Sequence, residues 1–297
     1  METVGSESQE RLQPLKQLLD NSKGFWRRYR KNRVAVIGLG IVILFFFLAV
    51  LAAQIAPYDP FVMDPGSRLQ SPSVSHLMGT DLFGRDIFSR IVYGTRISLF
   101  IGFVSATISA VIGIAVGAIS GYYGGKLDEV LMRAVEIFIV IPTFFLILII
   151  VAIFGGSIWN VMAIIGLTIW PSTTRLVRAE FLSTKEKEFV TAAISVGSKD
   201  AHIILREILP NAVFPAIVNM SLQVASAILT ESSLSFLGLG DPNNVSWGWL
   251  LKDALRSMRS AWWDSVFPGI FISLAVISFN VIGDGLNDAL NPYLKER

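Results

Sequence analysis

Cysteine is absent from this sequence, which removes a disulfide framework, a thiolate metal site and any cysteine-based redox or nucleophilic chemistry. Histidine is nearly absent. His76 and His202 lie far apart, so there is no His-rich metal motif, and a Ser/His/Asp site would have to be built on one of them. Charge is sparse: Asp, Glu, Lys and Arg amount to 16% of the chain, against about 25% in a typical soluble domain. The net charge, +2, carries no signature of nucleic-acid binding. A nucleotide motif is missing too. Gly121, Tyr122, Tyr123, Gly124, Gly125 and Lys126 match a phosphate loop only in outline. Ser120 holds the pattern's first Gly position, and Leu127 follows the Lys where a magnesium-binding Ser or Thr belongs. The stretch reads as a cytoplasmic turn. Gly79, Asp81, Gly84 and Asp86 lack the Asx spacing and closing Glu of a calcium loop, and read as an ordered outer loop tied by Arg85 and Arg90.

What the chain has instead is apolar sequence, 53% of its residues. The run 34–55 is 22 residues long. As a helix it reaches about 33 Å, enough to cross a hydrocarbon core of about 30 Å. Mostly polar residues precede it, so it reads as a span and not as a secretory signal peptide. Further runs at 97–119, 137–154, 158–174, 212–230 and 265–283 predict an all-α, polytopic membrane protein with about six transmembrane helices. The third helix is expected to begin near Leu131. The fourth run is shorter and contains Asn160 and Pro171, and Pro215 lies near the start of the fifth. Neighbouring helices can satisfy the backbone groups such prolines free.

Lys and Arg set the expected orientation. The segments 1–33, 120–133 and 175–209 and the C-terminal tail hold 18 of them, and the alternate connections 57–96, 155–157 and 239–264 hold 7. Both termini and the 175–209 loop are therefore expected in the cytoplasm of a cell-membrane protein. The chain divides into a cytoplasmic tail, 1–33, and a membrane domain, 34–297. Within the tail, Leu12, Leu15, Leu18 and Leu19 mix with cations, and Phe25, Trp26 and Tyr29 follow. Two readings stay open, an interfacial amphipathic helix against membrane lipid or a basic flank that only sets topology. The outer loop 239–264 carries Trp247, Trp249, Trp262 and Trp263, which suit an aromatic belt at the membrane surface or a functional loop.

The 175–209 loop holds the most informative segment, 188–211. Residues 189–196 can form a short helix carrying Ala192 and Ala193. Gly197 breaks it, Ser198 and Asp200 suit a turn or cap, and a second helix can follow over 201–209 before Pro210 and Asn211. Two adjacent methyl side chains let another protein approach closely, and the Gly permits a sharp turn. A helix–turn–helix hung under a membrane suits docking to a soluble partner.

This segment resembles the EAA loop of ABC importer permeases, which reads Glu-Ala-Ala, three residues, Gly, nine residues, Ile, one residue, Leu-Pro. Ala192, Ala193, Gly197, Leu209 and Pro210 fall on that pattern, while Thr191 replaces its Glu and Glu207 its Ile. Those departures are similar to the dipeptide/oligopeptide branch. So are the stretches 79–99 (GTDLFGRDIFSRIVYGTRISL), 234–240 (LSFLGLG), 246–251 (SWGWLL) and 283–292 (GDGLNDALNP), with the second, C-type permease of the pair the better match. The resemblance implies the ABC importer permease fold and a heterodimer with a second homologous permease. It further implies two ATPase subunits carrying the ATP and magnesium, no cofactor in this chain, and an extracellular or periplasmic solute-binding protein. Thr191, Ala192, Ala193, Gly197, Leu209 and Pro210 would then be the ATPase-coupling element. Relatives of this type also move oligosaccharides or a nickel complex.

Ionisable residues at membrane depth are the remaining lead. Glu136 follows Arg133 by three positions on one helix face and reads as its structural ion-pair partner at the cytoplasmic boundary. Glu231 has no nearby cation and is followed by Ser232, Ser233 and Ser235. It is a candidate for the translocation path, with Ser232 and Ser235, or a group bonded to a neighbouring helix. Two readings compete with the importer. A secondary transporter would show inverted repeats and broken helices with midplane ion ligands, and an intramembrane protease would need a catalytic dyad at membrane depth, while neither His lies in a span.

Overall fold

The computed structural model describes residues 24–290, which are mostly helical, with one long loop over 56–86. In chain order the helices are α1 (Arg33–Val50), α2 (Ile87–Tyr123), α3 (Gly125–Val140), α4 (Thr143–Phe154), α5 (Ile158–Lys185), α6 (Glu188–Ser195), α7 (Asp200–Ala212), α8 (Phe214–Phe236), α9 (Trp247–Ala254) and α10 (Trp262–Leu290). By length and composition α1, α2 and α10 can each cross a membrane, and the bent pairs α3–α4 and α7–α8 can each supply one more span. The remaining run, the fourth, lies in α5. That helix is 28 residues long, but its buried face includes Thr168, Thr173 and Thr174, which lowers its hydropathy.

The third run differs from its expected form. It is an 84° bend between α3 and α4. Pro142 has no N–H to donate and disfavours helical geometry in the residue before it. Ile141 accordingly sits extended at φ −80°, ψ 126°. The fifth run bends by 60° where α7 meets α8. The outer loop 57–96 is shorter than expected because α2 already begins at Ile87, with the Asp86 carboxylate accepting from the Ser89 N–H.

The centre of the bundle is α2 against α5, the most extensive helix pair in the chain. Gly113, Gly117 and Gly121 recur every fourth residue along the seam. A Cβ at Gly113 would lie 2.5 Å from Thr173 Cβ, and one at Gly121 2.5 Å from Phe181 Cβ. Apolar lipid gives helices little hydrophobic reason to associate, so close backbone approach through small residues supplies the contact. On the other side α2 and α8 enclose a cluster with α1 and α10 that includes Phe45, Ile91, Val224, Ile228, Trp247 and Phe279.

Trp247 belongs to that core and not to an aromatic belt. It is fully buried, sits 5.5 Å from the Phe45 ring, and its indole N–H donates to the Ile91 carbonyl at 3.2 Å. Trp263 is also buried and bonds the Thr80 carbonyl, whereas Trp262 is exposed. Of the basic N-terminal segment, residues 24–33 are described and the leucines Leu12 to Leu19 lie outside the described residues. Tyr29 is buried between Ala35 and Ala289, and Arg28 Nε donates to the Ala289 carbonyl at 2.8 Å.

Candidate coupling site

The turn in the 188–211 segment is a Schellman closure of α6. Gly197 N–H donates to the Ile194 carbonyl at 2.9 Å and Ser198 N–H to the Ala193 carbonyl at 3.1 Å. Gly197 sits at φ +76°, a left-handed conformation that a side chain disfavours. Lys199, not Ser198 or Asp200, occupies the cap position of α7, and Asp200 instead accepts a hydrogen bond from the Tyr122 hydroxyl at 2.8 Å. Residues Ile203–Ile208 form a π-turn. Pro210 explains it: the ring cannot donate to the Arg206 carbonyl and crowds it, and a wider preceding turn relieves the clash.

One face of this helix pair is anchored. Val190, Ile203, Ile208 and Ala212 are buried in a cluster with Tyr122, Val177 and Phe181 from α2 and α5. Full burial of each large aliphatic side chain is worth about 1.5–3 kcal/mol. Polar ties reinforce the base. Arg178 Nε and Nη2 donate to the two Asp128 oxygens at 2.6 Å each, Ser120 also bonds Asp128, and Lys185 Nζ reaches the Tyr122 carbonyl at 2.5 Å. The ends of α2 and α5, the start of α3 and the α6–α7 pair are thereby joined.

The other face is open. Phe189, Ile194, Val196 and Leu205 are large apolar side chains left exposed, Val196 by 81%. Thr191, Ala192, Gly197 and Pro210 are exposed beside them, while Ala193 and Leu209 are half-buried against the anchoring cluster. The coupling residues expected from the sequence thus share one small module, but Ala192 is its outward methyl and Ala193 partly a packing residue.

The remaining candidates separate. Arg133 Nη1 lies 3.1 Å from Glu136 Oε2, with both side chains mostly in the open. Glu231, Ser232 and Ser235 sit together on α8, and Ser232 edges an open groove beside Leu229, Ser233 and Phe236. All three are buried, and Glu231 Oε1 accepts from Ser235 Oγ at 2.6 Å and from Ser246 Oγ, at the cap of α9, at 2.7 Å. The Ser246 bond reaches another helix, so Glu231 is bonded to a neighbour in this arrangement, as one of its two readings expects. The neighbouring void measures about 10 Å³, room for about one water.

Sequence reasoning named Arg85 and Arg90 as ties of the outer loop but missed their partner, Asp253. Arg85 Nε and Arg90 Nη1 each donate to Asp81 Oδ2 at 2.7 Å, and both guanidiniums reach Asp253 Oδ2, at 2.8 and 3.0 Å. Asp253 lies on α9, more than 160 residues away, and no local pattern links it to the arginines.

A bent-helix bundle with an anchored, outward-facing helix pair at one end and a braced loop at the other defines a polytopic permease of the ABC importer type. The sequence profile of the binding-protein-dependent transport system inner membrane component family matches residues 113–296, and that of the N-terminal TM domain of oligopeptide transport permease C matches residues 22–72. The chain belongs to that family and, within it, to the C-type dipeptide/oligopeptide permeases. It is 42% identical over 271 residues to the dipeptide transport system permease protein DppC of Alkalihalophilus pseudofirmus, covering 91% of this chain and 89% of that one. It is 37% identical to the oligopeptide transport system permease protein OppC of Bacillus subtilis, with 91% and 88% covered. It is 40% identical to the glutathione transport system permease protein GsiD of Pectobacterium atrosepticum, with 91% of each covered. Among solved structures, a chain of the MetNI methionine ABC transporter in inward facing conformations shares the fold. The TM-score is 0.52 and the identity 20%, over 66% of this chain and 95% of that one.

Proposed function

We propose that this chain is one permease half of an ATP-driven importer of dipeptides and oligopeptides. A second homologous permease completes the pore, and two ATPase subunits hold the ATP and magnesium. An external solute-binding protein delivers cargo to the side bearing the 57–86 loop. The observation that carries the reading is the α6–α7 pair, rigid at its base and apolar on its exposed face. A rigid short helix seated in a partner transmits force, which a mobile loop does not. The peptide cargo is supported by the relatives named for dipeptide, oligopeptide and glutathione transport, since all three names specify peptides.

Membrane vesicles holding the complete complex should accumulate radiolabelled trialanine only with hydrolysable ATP. The chain purified alone should neither hydrolyse ATP nor accumulate peptide. Accumulation by the lone chain under a proton or sodium gradient would replace the importer with a secondary transporter.

Topology is open to a separate test in this cysteine-free chain. Ser75 and Asn243 are exposed on the outer connections and Ser183 is exposed near the end of α5, whereas Ser246 is too buried to serve. Cysteines at 75 and 243 should react with a membrane-impermeant maleimide in intact cells, and one at 183 only after lysis. The reverse pattern would put α6 and α7 on the wrong side for an ATPase.

A further inference from the structure

Glu231 is bonded to Ser235 and Ser246, and α8 carries a second polar face. Asn219, Gln223, Ser226, Thr230 and Ser233 recur at spacings of three and four along it. They occupy one side of the helix over about 21 Å. Ser172 on α5 joins them beside Pro171. Ser172 and Ser226 are exposed, Asn219 is half-buried, and with Gln223 they line an open groove of about 410 Å³. Asn219 Nδ2 donates to Thr173 Oγ1 at 3.0 Å, and Gln223 Nε2 lies within 3.1 Å of the Ile169 carbonyl, Ser172 Oγ and Thr173 Oγ1.

A second observation is independent of that spacing. Gln223 is 5% exposed, and its Oε1 has no hydrogen-bond partner among the described residues. The Nε2 side of the carboxamide is held by the Ile169 carbonyl, which only a donor can satisfy, so the acceptor is left over. A buried acceptor without a partner is costly and calls for one. A polar strip at membrane depth belongs against a polar neighbour or an aqueous path, not against lipid.

We propose that the Ser172–Asn219–Gln223–Ser226 strip is the surface along which the main chain of a peptide passes, with Ser172, Asn219 and Ser226 meeting its N–H and C=O groups from the open groove and Gln223 holding Ser172 in place beneath them. The proposal rests on the peptide-importer reading above. A peptide presents one N–H and one C=O per residue whatever its side chains, and carboxamides and hydroxyls complement both. The strip is uncharged, so it holds neither peptide terminus strongly, which suits a site that cargo must leave as readily as it enters. Leu222 and Leu229, exposed on the same helix, tolerate apolar side chains.

The test uses the complete importer in vesicles. Gln223→Leu and Asn219→Leu should each lower trialanine uptake about five- to tenfold, the loss expected for a hydrogen bond or two, with assembly and ATP hydrolysis retained. Ser226 makes no side-chain hydrogen bond here and is exposed, so Ser226→Cys leaves packing unchanged. That cysteine should be modified by a small water-soluble methanethiosulfonate, and trialanine should slow the modification. Should a Leu variant fail to assemble, the Ser226→Cys arm decides alone. No modification, in nucleotide-free and vanadate-trapped complexes alike, would mean that the partner permease covers the strip, and would overturn the proposal. Wild-type uptake of trialanine in both Leu variants would also overturn it, with the importer reading intact. Absence of trialanine uptake by the wild-type complex would overturn both.

Discussion

Ala192→Arg is expected to abolish uptake while leaving the membrane helices inserted and the chain at wild-type abundance. Ala192 is exposed on α6, so an Arg side chain meets nothing within this chain and costs its fold almost nothing. Any large effect must arise in a partner that needs the methyl at that position. Ala193 is a poorer probe, because it also packs on the Val190 and Ile203 cluster and its loss would mix coupling with stability. Gly197→Val tests the same contact through the turn. Its Cβ would meet no neighbouring atom, so the whole cost is the left-handed backbone at φ +76°, about 1–2 kcal/mol for a side chain there and more when β-branched. Straightening that turn swings α6 against α7 and spoils the shape of the apolar face. Uptake at equal expression should fall at least about tenfold in both variants, which corresponds to about 1.4 kcal/mol of lost interaction. Wild-type uptake in both would mean that this helix pair is not where force enters.

The second large effect is expected at the opposite end of α2. Arg90 is 1% exposed and donates to both Asp81 and Asp253. Arg90→Met fills the aliphatic space but takes one of two guanidiniums from Asp81, which is equally buried and keeps Arg85 and two backbone N–H groups. Losing a hydrogen bond to a charged group costs about 1.5–3 kcal/mol. That shifts the closed-to-open balance of the 57–86 loop by about 10- to 100-fold. Limited proteolysis of the purified protein in detergent should therefore cut within this loop far faster than in wild type, while α2, α5 and α8 stay protected. Unchanged resistance would mean that the Leu69–Asp81 and Gln70–Thr80 backbone bonds brace the loop without the arginines.

These two sites differ in how far they were legible in the sequence. The turn between α6 and α7 was readable because its determinants are local. Two methyls, a glycine four residues on and a proline near the end of α7 specify a Schellman turn and a crowded π-helical turn without distant partners. Asp253 was invisible because its link to Arg85 and Arg90 exists only once α9 folds back on α2. The partner of Glu231 was out of reach for the same reason, since Ser246 belongs to another element. The six apolar runs were readable from hydropathy, but hydropathy averages over a window and does not register the 84° bend. The signal for that bend, an Ile before Pro142 in the middle of an apolar run, was present and local. So was the Gly113, Gly117, Gly121 spacing that sets the α2–α5 seam. Trp247 shows the limit of composition: four tryptophans near a membrane surface suggest a belt, yet burial is decided by which helix face each one occupies.

The central claim is that force enters through the exposed apolar face of α6 and α7 from a separate ATPase. The most direct measurement is the amount of ATPase subunit that co-purifies with the wild-type chain and with Ala192→Arg, read beside peptide-stimulated ATP hydrolysis in the same preparations. The account predicts that the variant loses the ATPase, or retains it with hydrolysis no longer tied to peptide. Wild-type amounts of ATPase with hydrolysis still tied to peptide in the Ala192→Arg complex would contradict it.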